Sequence, residues 1–272
     1  MTSESEIKTT KPEKRLSGPD RRDRLALLLA QSGYLSISQL AEHLNVSEMT
    51  IRRDLDQMVE KGVAERAHGG AVPITSTRTW GIDLLEPEID ERIQRNSDAK
   101  ARIGKLAASL VEPGQTIALD IGSTALCMAH AVKDMDIRVF TYSLKIALFL
   151  SSGVPRLYMP GGEIRGSEPS AVGSMTRNQL KSFRFDWAFL GASGLANEGL
   201  FDYSLEDAEV KRAMIESAER RAVLLDSSKF GRLSIVKITD LSSINALVCD
   251  QEPTGSLAEK LHEAGVKVCV AE

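Results

Sequence analysis

At 272 residues the chain has the length of about two ordinary domains. Apolar residues make up 42% and charged residues 26% of it, which excludes collagen-like, low-complexity and mostly disordered chains. The net charge of −4 hides an asymmetry: residues 1–80 hold 12 Lys/Arg against 11 Asp/Glu, whereas residues 81–272 hold 22 against 27. A slightly basic head on an acidic body predicts two parts with different partners.

Cys127, Cys249 and Cys269 are odd in number and too few for a disulfide framework, and none stands in a metal-ligand spacing. No metal and no cofactor is expected, and Cys127 reads as a buried structural thiol. Residues 1–24 lack the apolar stretch of a secretory signal, and no apolar run approaches the roughly 20 residues of a membrane span. A soluble, cytoplasmic protein with no membrane partner is the expectation.

Residues 1–18, rich in Ser, Thr, Lys and Glu, read as a disordered tail. From Pro19 the pattern becomes helical, with Asp20 as a cap and Leu25, Leu28 and Leu29 on one stripe until Gly33. A second helix after Ser38 carries Leu40, Ala41 and Leu44, and Asn45 ends it, with Val46 buried in the turn. Ser47 caps a third helix with Ile51, Leu55, Met58 and Val59 inward, and Gly62 stops it. Residues 63–68 alternate weakly before Gly69-Gly70, as a hairpin does. Residues 19–72 therefore read as a small α-helical winged helix-turn-helix domain.

The third helix presents its chemistry at its first turn. Ser47, Met49, Thr50, Arg52 and Arg53 stand where a recognition helix meets base edges in the major groove. Arginine offers paired donors to guanine or phosphate, and the hydroxyls serve either. The plainer alternative pairs Arg52 and Arg53 with Asp54 and Asp56 on the surface, but the Ser cap and the preceding turn favour the DNA reading.

Residues 73–96 read as a linker, and residues 97–272 as an α/β domain. Ser97 or Asp98 caps a helix through Ile103, Leu106, Ala107 and Leu110, and Pro113-Gly114 turns into a strand at 116–119. Further strands are predicted at 137–141, 156–159, 186–190, 222–226, 245–249 and 266–270. Helices are predicted at 124–133, 144–151, 174–182, 206–219 and 256–264. That alternation predicts a mainly parallel sheet, with ligands beyond the carboxyl ends of its strands. Four loops there carry chemistry: Asp120-Ile121-Gly122-Ser123-Thr124, Thr141-Tyr142-Ser143, Gly161-Gly162 with Arg165 after it, and Asp226-Ser227-Ser228-Lys229. Hydroxyls, glycine backbone and cations converging on one end suit a small anion, with a phosphate ester as the expected ligand.

The run Val46-Ser47-Glu48-Met49-Thr50-Ile51-Arg52-Arg53-Asp54-Leu55, with Arg66-Ala67-His68-Gly69-Gly70-Ala71 after it, resembles the signature of the DeoR family of bacterial transcriptional repressors. The likeness continues from Arg92 and Lys100 through residues 120–124, 141–144, 161–162, 189–192, 209–212 and 226–231. It implies operator DNA as a partner, with Arg66 and His68 on the wing beside the backbone or minor groove. It further implies a homo-oligomer, dimer or tetramer, and a sensor fold similar to ribose-5-phosphate isomerase that takes a phosphorylated sugar or polyol. Carried over, Gly122, Ser123 and Thr124 would hold phosphate and Lys229 would neutralise it, while Asp120, Ser143, Glu209 and Lys211 would face the polyol. Two positions depart from the family: Tyr142 stands where Asn is usual, and Ala99 where Glu is frequent. Tyr142 predicts a ligand of different shape.

Two rival readings follow. An isomerase with a DNA-binding head would need the carboxylate-rich loop of those enzymes, yet the corresponding Leu190-Gly191-Ala192-Ser193-Gly194 has no carboxylate. No catalytic residue is therefore expected. The other rival is a sensor domain that only oligomerises.

Overall fold

The structure is a computed structural model that describes residues 18–32, 35–60, 64–67, 70–73, 82–83, 89–166 and 168–272. It forms two compact units, residues 1–78 and 79–272. The expected tail, apart from Gly18, and the helix stops at Gly33 and Gly62 lie outside the described residues.

In the first unit α1 (Gly18–Ser32) begins before Asp20 and leads to β1 (Leu35–Ser36) and α2 (Ile37–Leu44). Ser36 caps α2: its Oγ accepts from the Gln39 amide at 3.2 Å, and Gln39 Oε1 accepts the Ser36 amide at 2.9 Å. Asn45 closes the helix in the left-handed region (φ +50°), which a short polar side chain tolerates. Helix α3 (Glu48–Glu60) follows, then β2 (Ala64–Ala67) and β3 (Gly70–Pro73), and β3 pairs antiparallel with both β1 and β2. Leu25, Leu29, Leu40, Ile51 and Leu55 are fully buried together, as the helical spacing predicts. Val59 differs. It is 37% exposed, and Asp54 is turned inward instead at 4%. The inward face of α3 is centred on residues 51, 54, 55 and 58, which leaves Val59 at its margin. Val46 is only half-buried.

The second unit opens with β4 (Ile82–Asp83) and α4 (Ile89–Gln94), so the stretch read as a linker holds two elements of this unit. Then follow α5 (Ser97–Ala108), β5 (Thr116–Leu119), α6 (Ser123–Val132), β6 (Arg138–Thr141), α7 (Leu144–Leu150) and β7 (Arg156–Tyr158). Asn96, at φ +52°, precedes α5 in place of the expected Ser97 or Asp98 cap. The hairpin β8 (Glu163–Arg165) and β9 (Ser170–Val172) precedes α8 (Ser174–Leu180), β10 (Phe185–Leu190), β11 (Gly194–Ala196) and β12 (Gly199–Asp202). The chain ends with α9 (Leu205–Ser217), β13 (Ala218–Leu225), β14 (Leu233–Ser234), β15 (Val236–Thr239), β16 (Ala246–Cys249), α10 (Gly255–Glu263) and β17 (Lys267–Val270). Helix α9 runs directly into β13, so residues 218–219, read as helix, are strand.

Seven strands form one sheet in the order β17-β16-β13-β10-β5-β6-β7, and every pairing in it is parallel. Ile117, Leu119, Val139 and Phe189 pack against Ile103, Met128 and Ile146 of α5, α6 and α7 on one face. Ala118, Phe140, Ala188 and Leu190 meet Leu180, Val210 and Met214 of α8 and α9 on the other. With both faces covered, these strands read as apolar runs rather than alternating ones. From β5 the chain moves outward through β6 and β7, then returns to place β10 on the other side of β5. Strand order reverses there, so the ends of β5 and β10 flank the crevice where such sheets take ligands.

Candidate nucleic-acid interface and effector site

Helix α3 separates its chemistry cleanly from its core. The Thr50 amide donates to Ser47 Oγ at 3.2 Å, and the Ser47 and Thr50 hydroxyls lie 2.9 Å apart, so both residues brace the helix start. Met49 is 61% exposed, and Arg52 and Arg53 are also exposed. Arg52 lies 3.7 Å from Glu48 one turn back, an exposed pair on the outer face of the helix. Asp54 does not pair with these arginines: it is buried and takes Arg21 Nε at 2.5 Å and Arg22 Nη1 at 3.4 Å, clamping α3 to α1. Arg66 stands on β2 opposite Ala71. Its side chain and the whole of His68 lie outside the described residues.

At the strand-order reversal the second unit buries a charge network. Asp120, directly after β5, is wholly buried; its carboxylate accepts from Tyr142 Oη at 2.5 Å and the Gly191 amide at 2.7 Å, with Lys211 Nζ at 3.1 Å. Lys211 also donates to Asp202 Oδ2 at 2.5 Å and the Gly191 carbonyl at 3.0 Å. Asp202 Oδ1 in turn accepts from Ser193 Oγ and the Tyr203 amide. Burial opposes the charge on Lys211, but Asp120, Asp202 and Asp207 outweigh it and hold its pKa above the ordinary lysine value. Burial raises the pKa of Asp120, with Lys211 and the Tyr142 phenol pulling the other way. Burial, and then Asp120, push Tyr142 well above an ordinary phenol. Asp120 accepts from Tyr142, Gly191, Lys211 and the Ile121 backbone, and Lys211 spends its three N–H bonds on Asp120, Asp202 and Gly191. The expectation that these two face a polyol is therefore corrected: they are a saturated pair beneath the crevice.

The neighbouring predicted residues divide. Gly122 precedes α6 at φ +104°, a backbone that favours glycine, and no side chain caps the helix there. Ser123 and Thr124 form its first turn, both nearly buried. Arg92 of α4 reaches this point: a Cβ on Gly122 would lie 3.9 Å from Arg92 Nη1. Lys100 is buried, and its ammonium donates to the carbonyls of Arg92 and Arg95. Burial lowers its pKa, with Asp226 opposing and Lys229 and Arg92 adding to the fall, which places Lys229 within electrostatic reach. Lys229 sits half-buried in the 3₁₀ turn Ser227–Lys229 after β13.

The remaining predicted residues serve other ends. Ser143 caps α7, its Oγ accepting the Ile146 amide at 3.3 Å. The Gly161 amide goes to Gln179 Oε1 at 2.9 Å, its carbonyl accepts from Thr176 Oγ1, and Gly162 leaves no room for a Cβ beside Thr176. Both glycines therefore seat α8. Glu209 lies two residues before Lys211 on α9 and pairs with Arg177 of α8, away from the network.

Sequence reading named Arg165 and Arg92 but missed the carboxylates that they meet. Arg165 pairs with Asp207 and donates to Ser204 Oγ at 2.5 Å, and Arg92 pairs with Glu168. Burial pushes Asp207 up to about 6, against Lys211 and Arg165. Ser170 Oγ and Asp207 Oδ1 are buried without a hydrogen-bond partner among the described residues. Asp202 had a signal, a lone carboxylate ending the apolar run Leu200-Phe201; Glu168 had none. Among the described residues no three His, Cys, Asp or Glu side chains are grouped to hold a metal, and no helix is long and apolar enough to cross a membrane.

Comparison with known proteins agrees with this division. Residues 21–77 match the DeoR-like helix-turn-helix domain, and residues 95–251 match the DeoR C terminal sensor domain. The chain is 32% identical to the glycerol-3-phosphate regulon repressor of Escherichia coli (strain K12), over 92% of this chain and 98% of that one. It is also 32% identical to the HTH-type transcriptional regulator GolR of Listeria innocua, over 93% and 98%. Among solved structures it resembles ribose 5-phosphate isomerase A from Methanocaldococcus jannaschii with a TM-score of 0.36 and 22% identity, over 50% of this chain and 55% of that one.

Proposed function

Because the chain belongs to the DeoR family of helix-turn-helix transcriptional repressors, we propose that it represses a carbohydrate or polyol catabolic operon and leaves operator DNA when a phosphate ester binds its second unit. Met49, Arg52 and Arg53 read base edges from the exposed face of α3, with Ser47 and Thr50 holding the helix start and Arg66 and His68 on the wing. Two heads of a homo-oligomer engage paired half-sites, and phosphate contacts set the register.

The phosphate sits at the α6 N-terminus, on Gly122, Ser123 and Thr124. The observation that carries this reading is the arrival of the Arg92 guanidinium at Gly122 from a helix 30 residues upstream. A cation, two hydroxyls and a helix N-terminus without a side-chain cap suit an anion and little else. Tyr142, itself buried and bonded to Asp120, withholds that carboxylate from the effector. The function is regulatory, not enzymatic, and the protein acts in the cytoplasm. An effector shifts DNA binding only if it favours one arrangement of the protein over another.

The test is fluorescence anisotropy of the full chain on DNA from its own upstream region, with nonspecific competitor, fixed salt and a panel of sugar and polyol phosphates. Release by one phosphate ester but not by its unphosphorylated form is the expected result. Specific binding indifferent to every phosphate would instead favour a unit that only oligomerises.

A further inference from the structure

Arg92 faces two anion positions with one guanidinium. Its Nη2 pairs with Glu168, which precedes β9, while its Nη1 is the atom nearest to where a Gly122 side chain would begin. We propose that Glu168 is an internal stand-in for the effector anion, and that binding transfers Arg92 from the Glu168 carboxylate to the phosphate. This rests on the anion site described above and assigns Arg92 as its ligand, with Glu168 as the built-in competitor.

Three observations support the exchange. The pair is accessible yet weakly hydrated, the two side chains being 15% and 11% exposed, so its strength depends on which anion the guanidinium meets. A phosphate ester offers nearly two charges and three acceptor oxygens against one charge and two, and outcompetes a carboxylate for a planar fork. The second observation concerns α4, which buries no residue at all. It is held by polar contacts: Lys145 to Asp90 at 2.9 Å, Arg92 to Glu168, and Lys100 to the carbonyls of Arg92 and Arg95. Its isoleucines Ile89 and Ile93 are only half-buried, so moving Arg92 disturbs no fully buried apolar side chain of α4. The third is the fate of Glu168. Arg165, on β8 of the same hairpin, pairs with Asp207 and also lies within reach of the Glu168 charge, so the carboxylate keeps a cation in its surroundings after Arg92 leaves.

The consequence is a threshold. The internal carboxylate lowers the affinity for every anion, so weak or singly charged ones fail to occupy the site. Helix α4 is the first helix of the second unit in chain order.

Isothermal titration calorimetry of the full chain with inorganic phosphate, at constant ionic strength, tests this. Glu168→Gln should tighten phosphate binding about tenfold and Arg92→Gln should weaken it about tenfold, each being the gain or loss of one charge-assisted contact. The double variant should match Arg92→Gln alone, because a competitor acts only through what it competes for. Arg92→Lys, which keeps the charge and loses the fork, should fall between, and thermal unfolding of each variant identifies any that fail to fold. Tightening that persists in the double variant, or weaker or unchanged binding in Glu168→Gln, overturns the exchange. Phosphate binding by the wild type that ignores Arg92→Gln overturns it too, but leaves the anion site standing. Binding by none of the four proteins overturns both.

Discussion

Both units bury aspartate against cations, and they do opposite things with it. In the head, Asp54 is clamped by Arg21 and Arg22 from another helix, which fixes α3 and leaves Met49, Arg52 and Arg53 turned outward. In the second unit, Asp120 is enclosed by Tyr142, Gly191 and Lys211, and the residues that look most chemical are turned inward to saturate one another. A DNA surface is flat and external, so the buried charge serves as scaffold. A small-ligand site is concave, so its scaffold and its ligands come from the same strand ends and are easily confused.

The comparison is tested most severely by Lys211→Met. Leaving Asp120 and Asp202 buried without their ammonium should cost about 3–5 kcal/mol, read as an early unfolding transition in urea; a loss below about 1 kcal/mol would mean that the network is not structural. Asp207 sharpens it by pH. Its folded pKa of about 6 lies above the ordinary carboxylate value, so the folded state binds more protons between the two and stability falls as pH rises through them. Relative to Asp207→Asn, the wild type should lose about 2 kcal/mol from about pH 4 to about pH 7, measured by urea unfolding at each pH; parallel profiles would remove Asp207 from the account. In the head, Arg53→Ala should weaken specific DNA binding by about 1–3 kcal/mol without moving the melting temperature, and an equal loss on nonspecific DNA would make Arg53 a phosphate contact. The smallest effect is Ser47→Ala, about 1 kcal/mol of stability from the lost cap, seen by thermal denaturation.

The head was legible because helical spacing is a local signal: Leu25 and Leu29, Ile51 and Leu55 announce buried faces without reference to anything distant, whereas of the N-terminal caps only Ser47 stands as read, with Asp20 inside α1 and Ser36 rather than Ser38 opening α2. The parallel sheet was legible for a related reason, since strands covered on both faces become apolar runs such as Ala222-Val223-Leu224-Leu225. Short strands such as β8, β11, β14 and β15, of two to four residues, are below the length at which a period shows. The turnless junction of α9 and β13 has no punctuating residue. At the site, Tyr142 stood out by type, but its bond to Asp120 depends on Leu119 and Thr141 being paired across β5 and β6. Lys211, Asp202 and Asp120 meet only once three elements have docked, and Arg92 meets Glu168 across 76 positions of chain. Ligand and scaffold differ there by orientation, which residue type does not encode.

The far edge of the large sheet carries its own clock. Cys249 ends β16 wholly buried, next to the last strand, with its thiol pushed up to about 12 first by burial and then by Asp250. Its apolar neighbours Leu257 and Leu261 of α10 and Val266 must move before alkylating reagents reach it, and burial suppresses the thiolate that would react. Cys127 and Cys269, both half-buried, supply the faster reference within the same molecule. The ratio of their labelling rates therefore reports how often that edge opens, in the unmodified protein and without a probe.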